Sequence, residues 1–381
     1  MKILPTPEVF CSDNALEELP VILKNMSAAK VMVVTDKGII GAGIYDKIKA
    51  ILDTTNIEII LCDEVKPDPS ITLVKSIAEL ARKSDVSAII GLGGGSSLDT
   101  AKVAAAMVTN DKDLDAYIGI NLLEKMPLPI IAIPTTAGTG SEVTHIAILS
   151  DEEEQLKKGI VSPKIIPSYA ILDPNLTVGL PPHITAATGM DALCHALEAY
   201  TSIGANRSVY SDSLALKAIE MITANLKIAY NEGSNLEARR NMLLGSLLAG
   251  MAFANAGVTA VHAFAYPLGG MFHVPHGLAN SLMLPVIVEY NQVGNEERFI
   301  EVGKHMANAR KDNTTQATVD AINELSNELK IPKNLAEVNI PEDAIQSMAE
   351  GAIKVTRLLD NNPRPITLDD AVNLYTQAYN R

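Results

Sequence analysis

A chain of 381 residues, 47% of them hydrophobic, is long enough to build two domains, each with its own core. Its formal net charge of −14 argues against a nucleic-acid-binding protein, because phosphate contacts require a basic face. The three cysteines are widely separated and the N-terminus lacks the apolar run of a signal peptide, so we expect a cytoplasmic protein without disulfides.

The first 180 residues alternate short β-branched runs with stretches of helical period. Buried parallel strands are predicted at Val31–Thr35, Ile57–Leu61, Ala88–Gly91 and Ile130–Ile133, with further strands at Ile146–Leu149 and Tyr169–Leu172. Helices are predicted between the first strands, near 14–25, 38–53, 70–84 and 96–109. This alternation predicts a doubly wound α/β domain of Rossmann-like type over residues 1–180.

The pattern changes at Pro181-Pro182, after which nearly every stretch has helical period or composition. We predict helices near 184–200, 206–231, 234–252, 278–291, 293–309, 314–329, 342–351 and 367–379. The sequence therefore predicts an all-α second domain over residues 181–381, with the domain boundary at about residue 180.

One long segment, Asn241–Val288, contains no Lys, Arg, Asp or Glu. Polar residues, glycines and prolines interrupt it, and no apolar run reaches the roughly 18 residues that a membrane span requires. We therefore expect no membrane partner. The segment is typical of buried helices whose polar side chains face an internal site.

Two loops rich in glycine and hydroxyl groups follow predicted strands. Gly91–Asp99 joins a strand to a helix, where glycine lets the backbone approach a ligand and free N–H groups attract a pyrophosphate. As a dinucleotide fingerprint it is imperfect, because Ser96 occupies the last glycine position. Pro134–Glu142 follows a later strand. Either loop alone fits a plain turn, but both stand at carboxyl ends of strands, where open α/β sheets bind nucleotides.

Asp36 directly follows the predicted strand Val31–Thr35. Its carboxylate suits an adenosine ribose and would repel a 2′-phosphate, which favours NAD over NADP. The alternative is an ordinary N-cap for the helix that follows.

Four residues form a candidate metal site. Asp191 and His195 are spaced i, i+4, so that both side chains lie on one face of a helix, and His262 and His276 come from the uncharged segment. Taken singly, each histidine fits an ordinary core or cap position. Together, one carboxylate and three imidazoles suit Fe(II) or Zn(II), and a single carboxylate leaves a divalent site with net positive charge.

With these loops and ligands, the chain resembles the iron-containing (group III) alcohol dehydrogenases over essentially its whole length. The markers are Gly93–Ser96 with Asp99 and Lys102, Pro134–Glu142, the Asp191/His195 helix, and the segment from His262 to Gly277. The resemblance implies a dinucleotide-binding domain, an all-helical domain, and metal and cofactor in the cleft between them. It also implies homodimers or higher homo-oligomers.

By the same resemblance, Asp191, His195, His262 and His276 hold the metal. The positions that match cofactor contacts are Asp36, Asp68, Gly94, Gly95, Ser96, Thr135, Thr136, Thr139 and Lys157, with Leu176 and Leu180 as weaker matches. Without the family, Asp68 would be only a turn residue and Lys157 only a solvated charge.

The chain departs from the family pattern at Tyr266, where many relatives carry a second histidine four residues after the first. That position faces substrate and nicotinamide in the family, so Tyr266 becomes a candidate catalytic residue, either as a proton relay or as a packing group. His273 is the other candidate, because an imidazole exchanges protons near neutral pH.

The resemblance thus implies an oxidoreductase that interconverts small primary alcohols or diols with aldehydes or ketones, using NAD (NADP less well) and Fe(II) or Zn(II). A related scaffold offers an NAD- and metal-dependent lyase of the dehydroquinate synthase type, whose phosphate-accepting pocket would need basic residues near the metal. A hydroxyacid-oxoacid transhydrogenase and a non-catalytic protein on the same scaffold are the remaining alternatives.

Overall fold

The structure, a computed structural model, describes residues 3–152, 156–309 and 313–381. The chain divides into two compact units. The sheet unit contains Leu4–Thr136 and Gly140–Gly179, and the helical unit contains Ala137–Thr139 and Leu180–Arg381.

The described part of the sheet unit has nine strands. In chain order they are β1 (Glu8–Cys11), β2 (Lys30–Val34), β3 (Glu58–Cys62), β4 (Ala88–Gly93), β5 (Gly119–Ile120), β6 (Ile130–Pro134), β7 (Ile146–Asp151), β8 (Leu156–Val161) and β9 (Tyr169–Leu172). Six of them form one sheet in the order β1-β9-β6-β4-β2-β3, and every pair in it is parallel.

Alternate residues of the central strands enter two different cores. On β2, Met32 and Val34 face one hydrophobic cluster and Val31 and Val33 face the other. A strand that is buried on both faces reads as a continuous apolar run, which is why the sequence shows no polar alternation here. The α/β fold class predicted for the first half is confirmed.

Helices cover this sheet at α1 (Leu19–Asn25), α2 (Lys37–Gly41), α3 (Ile44–Leu52), α4 (Ile71–Lys83) and α5 (Gly95–Thr109). The single helix predicted over 38–53 is wrong, because α2 ends at Gly41 and α3 begins after Gly43. Gly43 has a φ of 69°, a left-handed conformation that ends one helix before the next begins.

The strand predicted at Ile146–Leu149 belongs to a second, three-stranded sheet of order β5-β8-β7. Buried Lys102 on α5 ties this region to the helix, since its Nζ donates to Ser141 Oγ at 2.7 Å, Thr144 Oγ1 at 3.1 Å and the Ile146 carbonyl at 3.0 Å. Burial lowers the pKa of Lys102 to about 8, although neighbouring Asp99 opposes the shift. The cluster holds the end of the Pro134–Glu142 loop against α5.

The described part of the helical unit contains ten α-helices. They are α6 (Pro182–Thr201), α7 (Val209–Asn231), α8 (Leu236–Ala256), α9 (Ala260–Phe272), α10 (His276–Asn291), α11 (Glu296–His305), α12 (Thr315–Glu328), α13 (Ile345–Ile353), α14 (Thr356–Leu359) and α15 (Leu368–Asn380). The all-helical second half is confirmed. Helices α9 and α14 were not predicted from the sequence.

In the described ranges, no single helix is long and apolar enough to cross a membrane. The pair α8 and α9 passes that test together by length and composition, with a bend of 104° between the two helices.

Candidate metal centre and cofactor loops

Helix α6 brings three polar side chains to one buried face. Asp191, His195 and Glu198 are spaced four and three residues apart, so they occupy successive turns of the same side. All three side chains are buried. The helix is otherwise largely alanine, leucine and other apolar residues, which leaves these groups facing the interior of the helical unit.

Helices α9 and α10 supply the other two predicted ligands. His262 lies in the first turn of α9, and His276 is the first residue of α10. Between the two helices, His273 ends α9 in the left-handed conformation, with a φ of 56°, and Pro275 leaves the helical conformation with a ψ of 137°. The chain therefore turns sharply between α9 and α10. The first turns of both helices, which carry His262 and His276, lie near α6. Gly277 permits this packing because a Cβ there would lie 2.8 Å from the carbonyl carbon of Ala187 on α6.

Asp191, His195 and His262 each offer one ligand atom within 4.8 Å of the others. The Nε2 atoms of His195 and His262 are 3.0 Å apart, and Asp191 Oδ1 is 3.9 Å from His262 Nε2. His276 lies outside this triplet and is partly exposed, but its Nε2 is 3.7 Å from Asp191 Oδ1. The side chains present thus fit a divalent cation, since one carboxylate and converging imidazole nitrogens are the donors that Fe(II) and Zn(II) take.

Asn280 on α10 completes the cluster. Its Nδ2 donates to Asp191 Oδ1 at 2.6 Å and lies 3.1 Å from His262 Nε2 and 3.2 Å from His276 Nε2. Its Oδ1 is buried without a hydrogen-bond partner among the described residues. The amide therefore orients the Asp191 carboxylate.

The Nδ1 atoms of His195 and His262 are also held. His195 Nδ1 lies 3.2 Å from the carbonyl oxygen of Gly138, and His262 Nδ1 contacts Glu198 Oε2. Each of these contacts places an acceptor at Nδ1, which favours the tautomer with a free Nε2 lone pair. The ring of Phe253 stacks on His195 with centroids 4.3 Å apart and forms an apolar wall.

Glu198 is a second buried carboxyl group close to the predicted ligands, because its Oε2 contacts His262 Nδ1. Burial raises the pKa of the Glu198 carboxyl, yet the contacts with His262 and Thr259 outweigh this and the pKa is lowered. Asp191 therefore shares this face of α6 with a second carboxylate.

Burial also sets the protonation of His195, lowering its pKa to about 4 although Asp191 opposes the shift. The imidazole is therefore neutral at physiological pH, as a metal ligand must be. For Asp191, burial raises the pKa, but His195, His276 and His262 together lower it below its usual value.

Glu198 and Asn280 were not predicted as site residues. Both carry a spacing signal, because Glu198 lies three residues after His195 and Asn280 lies four residues after His276. On a helix those spacings place each side chain beside a candidate ligand. A single Glu or Asn in a helical stretch does not indicate a metal site by itself; its spacing becomes informative only once the neighbouring ligands have been identified.

In the sheet unit, the two predicted cofactor loops meet at the carboxyl ends of β4 and β6. The amide of Thr135 donates to the Gly93 carbonyl at 3.0 Å. Gly93 has a φ of 143°, and a Cβ on Gly94 would lie 3.4 Å from Thr136 Oγ1. Gly95 and Ser96 open α5, and Thr135 Oγ1 is buried with no hydrogen-bond partner among the described residues. This backbone cradle at a helix N-terminus fits a pyrophosphate.

Asp36 lies beside the same loop. Its Oδ1 accepts from the amides of Gly38 and Ile39 as the N-cap of α2, while its Oδ2 is 3.5 Å from Ser97 Oγ. The strand order reverses between β2 and β4, and ligands of open α/β sheets bind at such a switch point. The capping role and a cofactor role are therefore compatible, because they use different oxygens.

The remaining cofactor candidates are more scattered. Asp68, with a φ of 55°, forms an ion pair with Lys157 on β8. Leu176 is buried in the core that packs against β2 and β4. Thr139 and Leu180 belong to the helical unit, where the Leu180 carbonyl accepts from Arg239 Nη2 at 3.3 Å.

The two catalytic candidates have different surroundings. Tyr266 follows His262 by one turn of α9, and its ring centroid is 6.5 Å from that of His276. Burial raises the pKa of the Tyr266 phenol, while Arg357, which hydrogen-bonds its hydroxyl, opposes the shift. The phenol therefore stays protonated. His273 is exposed at the end of α9.

A buried donor cluster in the helical unit and a glycine-rich cradle in the sheet unit recur in one family of known proteins. Residues 5–174 match the model of iron-containing alcohol dehydrogenases, and residues 185–379 match the C-terminal domain of the Fe-containing alcohol dehydrogenase family. The chain is 36% identical to alcohol dehydrogenase 4 of Saccharomyces cerevisiae, over 98% of this chain and 97% of that one. It is 39% identical to 1,3-propanediol dehydrogenase of Citrobacter freundii, over 97% and 96%.

Solved structures of similar proteins point to the same family. A 1,3-propanediol oxidoreductase has a TM-score of 0.95 and 37% identity, with full coverage of both chains. Sulfoacetaldehyde reductase from Bifidobacterium kashiwanohense, solved in complex with NAD+, has a TM-score of 0.87 and 31% identity, with 99% coverage of both. The chain belongs to the iron-containing alcohol dehydrogenase family. It is an oxidoreductase of the alcohol dehydrogenase class.

Proposed function

We propose that this protein interconverts small primary alcohols or diols with aldehydes or ketones, with NAD bound by residues 1–180 and a metal bound by residues 181–381. Asp191, His195, His262 and His276 are the proposed ligands, of Fe(II) or alternatively Zn(II). The observation that carries the proposal is the buried triplet of Asp191, His195 and His262, whose ligand atoms lie within 4.8 Å of one another.

When bound, the metal supplies a Lewis acid that makes the alcohol hydroxyl more acidic, and the nicotinamide accepts a hydride from the carbinol carbon. The protein supplies position and a dry environment. His195 and His262 are fixed through their Nδ1 atoms, Asn280 holds the Asp191 carboxylate, and the ring of Phe253 keeps water from the face of His195. These contacts preserve the geometry of the donor set during turnover.

For the cofactor, we propose NAD rather than NADP, with the pyrophosphate at Gly94, Gly95 and Ser96. Thr135, Thr136 and Thr139 would contact the nucleotide, and Asp36 would accept hydrogen bonds from a ribose. Asp68 and Lys157, which pair with each other, are the next proposed contacts. Leu176 and Leu180 are proposed apolar contacts.

Replacing Asp36 with serine should shift cofactor preference toward NADP. Serine keeps an N-cap acceptor for α2 but removes the charge that would repel a 2′-phosphate. We expect the ratio of kcat/KM for NAD to that for NADP to fall about tenfold or more, equivalent to about 1.4 kcal/mol. Asp113→Ser, at another N-cap of the sheet unit, is the matched control. An unchanged ratio would assign Asp36 to capping alone.

Tyr266 and His273 are the proposed catalytic residues, with different tasks. The Tyr266 phenol stays protonated, so it can donate a hydrogen bond but is a poor base. His273 is the candidate for proton exchange with water, since it is ionisable and exposed.

Two variants separate these tasks. His273→Asn keeps a residue that tolerates the left-handed conformation, so it removes only the ionisable ring. We expect kcat to fall about 10²-fold, with partial recovery on adding imidazole. We expect Tyr266→Phe to change the preference among alcohols more than kcat. His183→Asn, at an exposed site, is the control. A wild-type kcat in His273→Asn would show that His273 has no catalytic role.

The proposed substrates are small and mainly uncharged. The ligands His262 and His276 lie in the Asn241–Val288 segment, which has no charged residue. The similarity to a 1,3-propanediol dehydrogenase supports diols. Assay of an alcohol and aldehyde panel with NAD(H) and NADP(H), after anaerobic loading with Fe(II) or Zn(II), tests this. Steady net NADH production from simple alcohols is expected, and its absence from every substrate would contradict the proposal.

We also propose a homodimer or higher homo-oligomer in the cytoplasm, with no nucleic-acid or membrane partner. The odd number and wide separation of Cys11, Cys62 and Cys194 suit a reducing compartment, and the net charge of −14 disfavours nucleic acid. Size-exclusion chromatography with light scattering measures the oligomeric state directly.

A further inference from the structure

Glu198 is a buried residue of α6 whose carboxylate contacts the first turn of α9. Its Oε2 contacts His262 Nδ1. We propose that Glu198 is a positioning residue that holds His262 in the tautomer and orientation that metal binding needs. This inference rests on the metal site proposed above.

The first step is the tautomer. A carboxylate can only accept at His262 Nδ1, so the proton resides there and the Nε2 lone pair faces His195 Nε2 and Asp191. The Nε2 atoms of His195 and His262 lie 3.0 Å apart, close enough for both lone pairs to serve one cation. The contact thus sets up the ligand atom before metal arrives.

The second step is the rigidity of Glu198 itself. Its Oε1 accepts from the Thr259 amide at 3.1 Å, the Thr259 hydroxyl at 2.8 Å and the Val261 amide at 2.7 Å. The N-cap residue of α9 provides no side-chain cap of its own, so the carboxylate of α6 takes over that task. Because Oε1 is fixed to the backbone that carries His262, Oε2 cannot move independently of that ring.

The test is metal affinity and metal geometry in Glu198→Gln. Glutamine keeps a carbonyl for the α9 amides but turns an NH2 group toward His262 Nδ1, which forces the proton onto Nε2. We expect Zn(II) and Co(II) affinity, measured by competition with a chelator, to fall about 10–100-fold, with an altered Co(II) absorption spectrum. Glu198→Asp, which keeps the charge, should recover part of the loss.

Asp212→Asn is the matched control, because Asp212 is a carboxylate of the same unit that binds Arg207 and Arg298 away from the ligands. We expect its metal affinity to be unchanged. Wild-type affinity and spectrum in Glu198→Gln would overturn the inference. Failure of the wild-type chain to bind either metal would instead overturn the proposed metal site.

If Glu198→Gln does not fold, the wild-type protein still decides the question. In 15N-histidine-labelled, Zn(II)-loaded wild-type protein, we expect Nδ1–H resonances from both His195 and His262, whose Nδ1 atoms each face an acceptor oxygen. A His262 ring without a proton on Nδ1 would overturn the inference.

Discussion

Replacing His262 with alanine is expected to abolish stoichiometric metal binding and turnover. Four-ligand zinc sites have apparent binding free energies of about 10–16 kcal/mol, or about 3 kcal/mol for each ligand. Losing one ligand therefore lowers affinity by about two orders of magnitude, because each 1.4 kcal/mol is tenfold. The loss is larger here, since the change also leaves the buried Glu198 carboxylate without its imidazole partner.

Metal content by mass spectrometry and NAD-linked turnover measure this effect together. His305→Ala is the control, because His305 is a partly exposed histidine on α11 whose Nε2 lies 3.3 Å from Glu301. That variant should keep full metal content and activity. One equivalent of tightly bound metal in the His262 variant would contradict the ligand assignment.

The second large effect is expected from Gly277→Ala, which removes no donor atom. A Cβ at Gly277 would lie 2.8 Å from the Ala187 carbonyl carbon and 3.3 Å from Asp191 Cβ. Helices α6 and α10 must then separate, which moves His276 away from Asp191. Overpacking of this kind costs about 1–3 kcal/mol of the free energy of unfolding.

Metal affinity should fall at least about tenfold in the same variant, because ligand sets tolerate displacements of only about 0.5 Å. Gly41→Ala is the control, since no heavy atom lies within 4 Å of the Cβ position there. Urea unfolding of the metal-free protein and Zn(II) titration separate the two losses. Wild-type Zn(II) affinity in Gly277→Ala would show that the contact between α6 and α10 does not set the site.

The sheet was the most predictable part of the molecule. The strand predicted at Tyr169–Leu172 coincides with β9, and the strands predicted near residues 31, 57, 88 and 130 agree within a few residues. They were predictable because continuous β-branched runs between stretches of helical period are typical of buried strands. Strand β1 (Glu8–Cys11) was missed, since it is a short edge strand without a strong apolar run. The order of the strands in the sheet could not be predicted from the sequence, because it depends on crossover connections that local residue patterns do not encode.

Helix α9 shows a second limit. Pro267, Gly269 and Gly270 obscure its period, so no helix was predicted around His262, although α9 runs from Ala260 to Phe272. Pro267 is tolerated inside the helix, and Glu198 satisfies amides at its start from a residue more than sixty positions earlier. Such support from α6 is a tertiary effect and leaves no local pattern.

The candidate ligands were predictable for a different reason. One carboxylate and three imidazoles form an unusual donor set, and the i, i+4 spacing of Asp191 and His195 is visible in the sequence. The partners of those ligands were not, because Glu198 and Asn280 acquire meaning only once α6, α9 and α10 are packed together.

The central claim is that turnover depends on one divalent metal held by Asp191, His195, His262 and His276. The most direct measurement removes metal anaerobically, verifies its absence, and restores it in steps while following NADH formation from an alcohol such as 1,3-propanediol. The account predicts no turnover in the metal-free protein and a linear recovery that ends at one Fe(II) or Zn(II) per chain. Undiminished turnover in protein shown to be metal-free would contradict it.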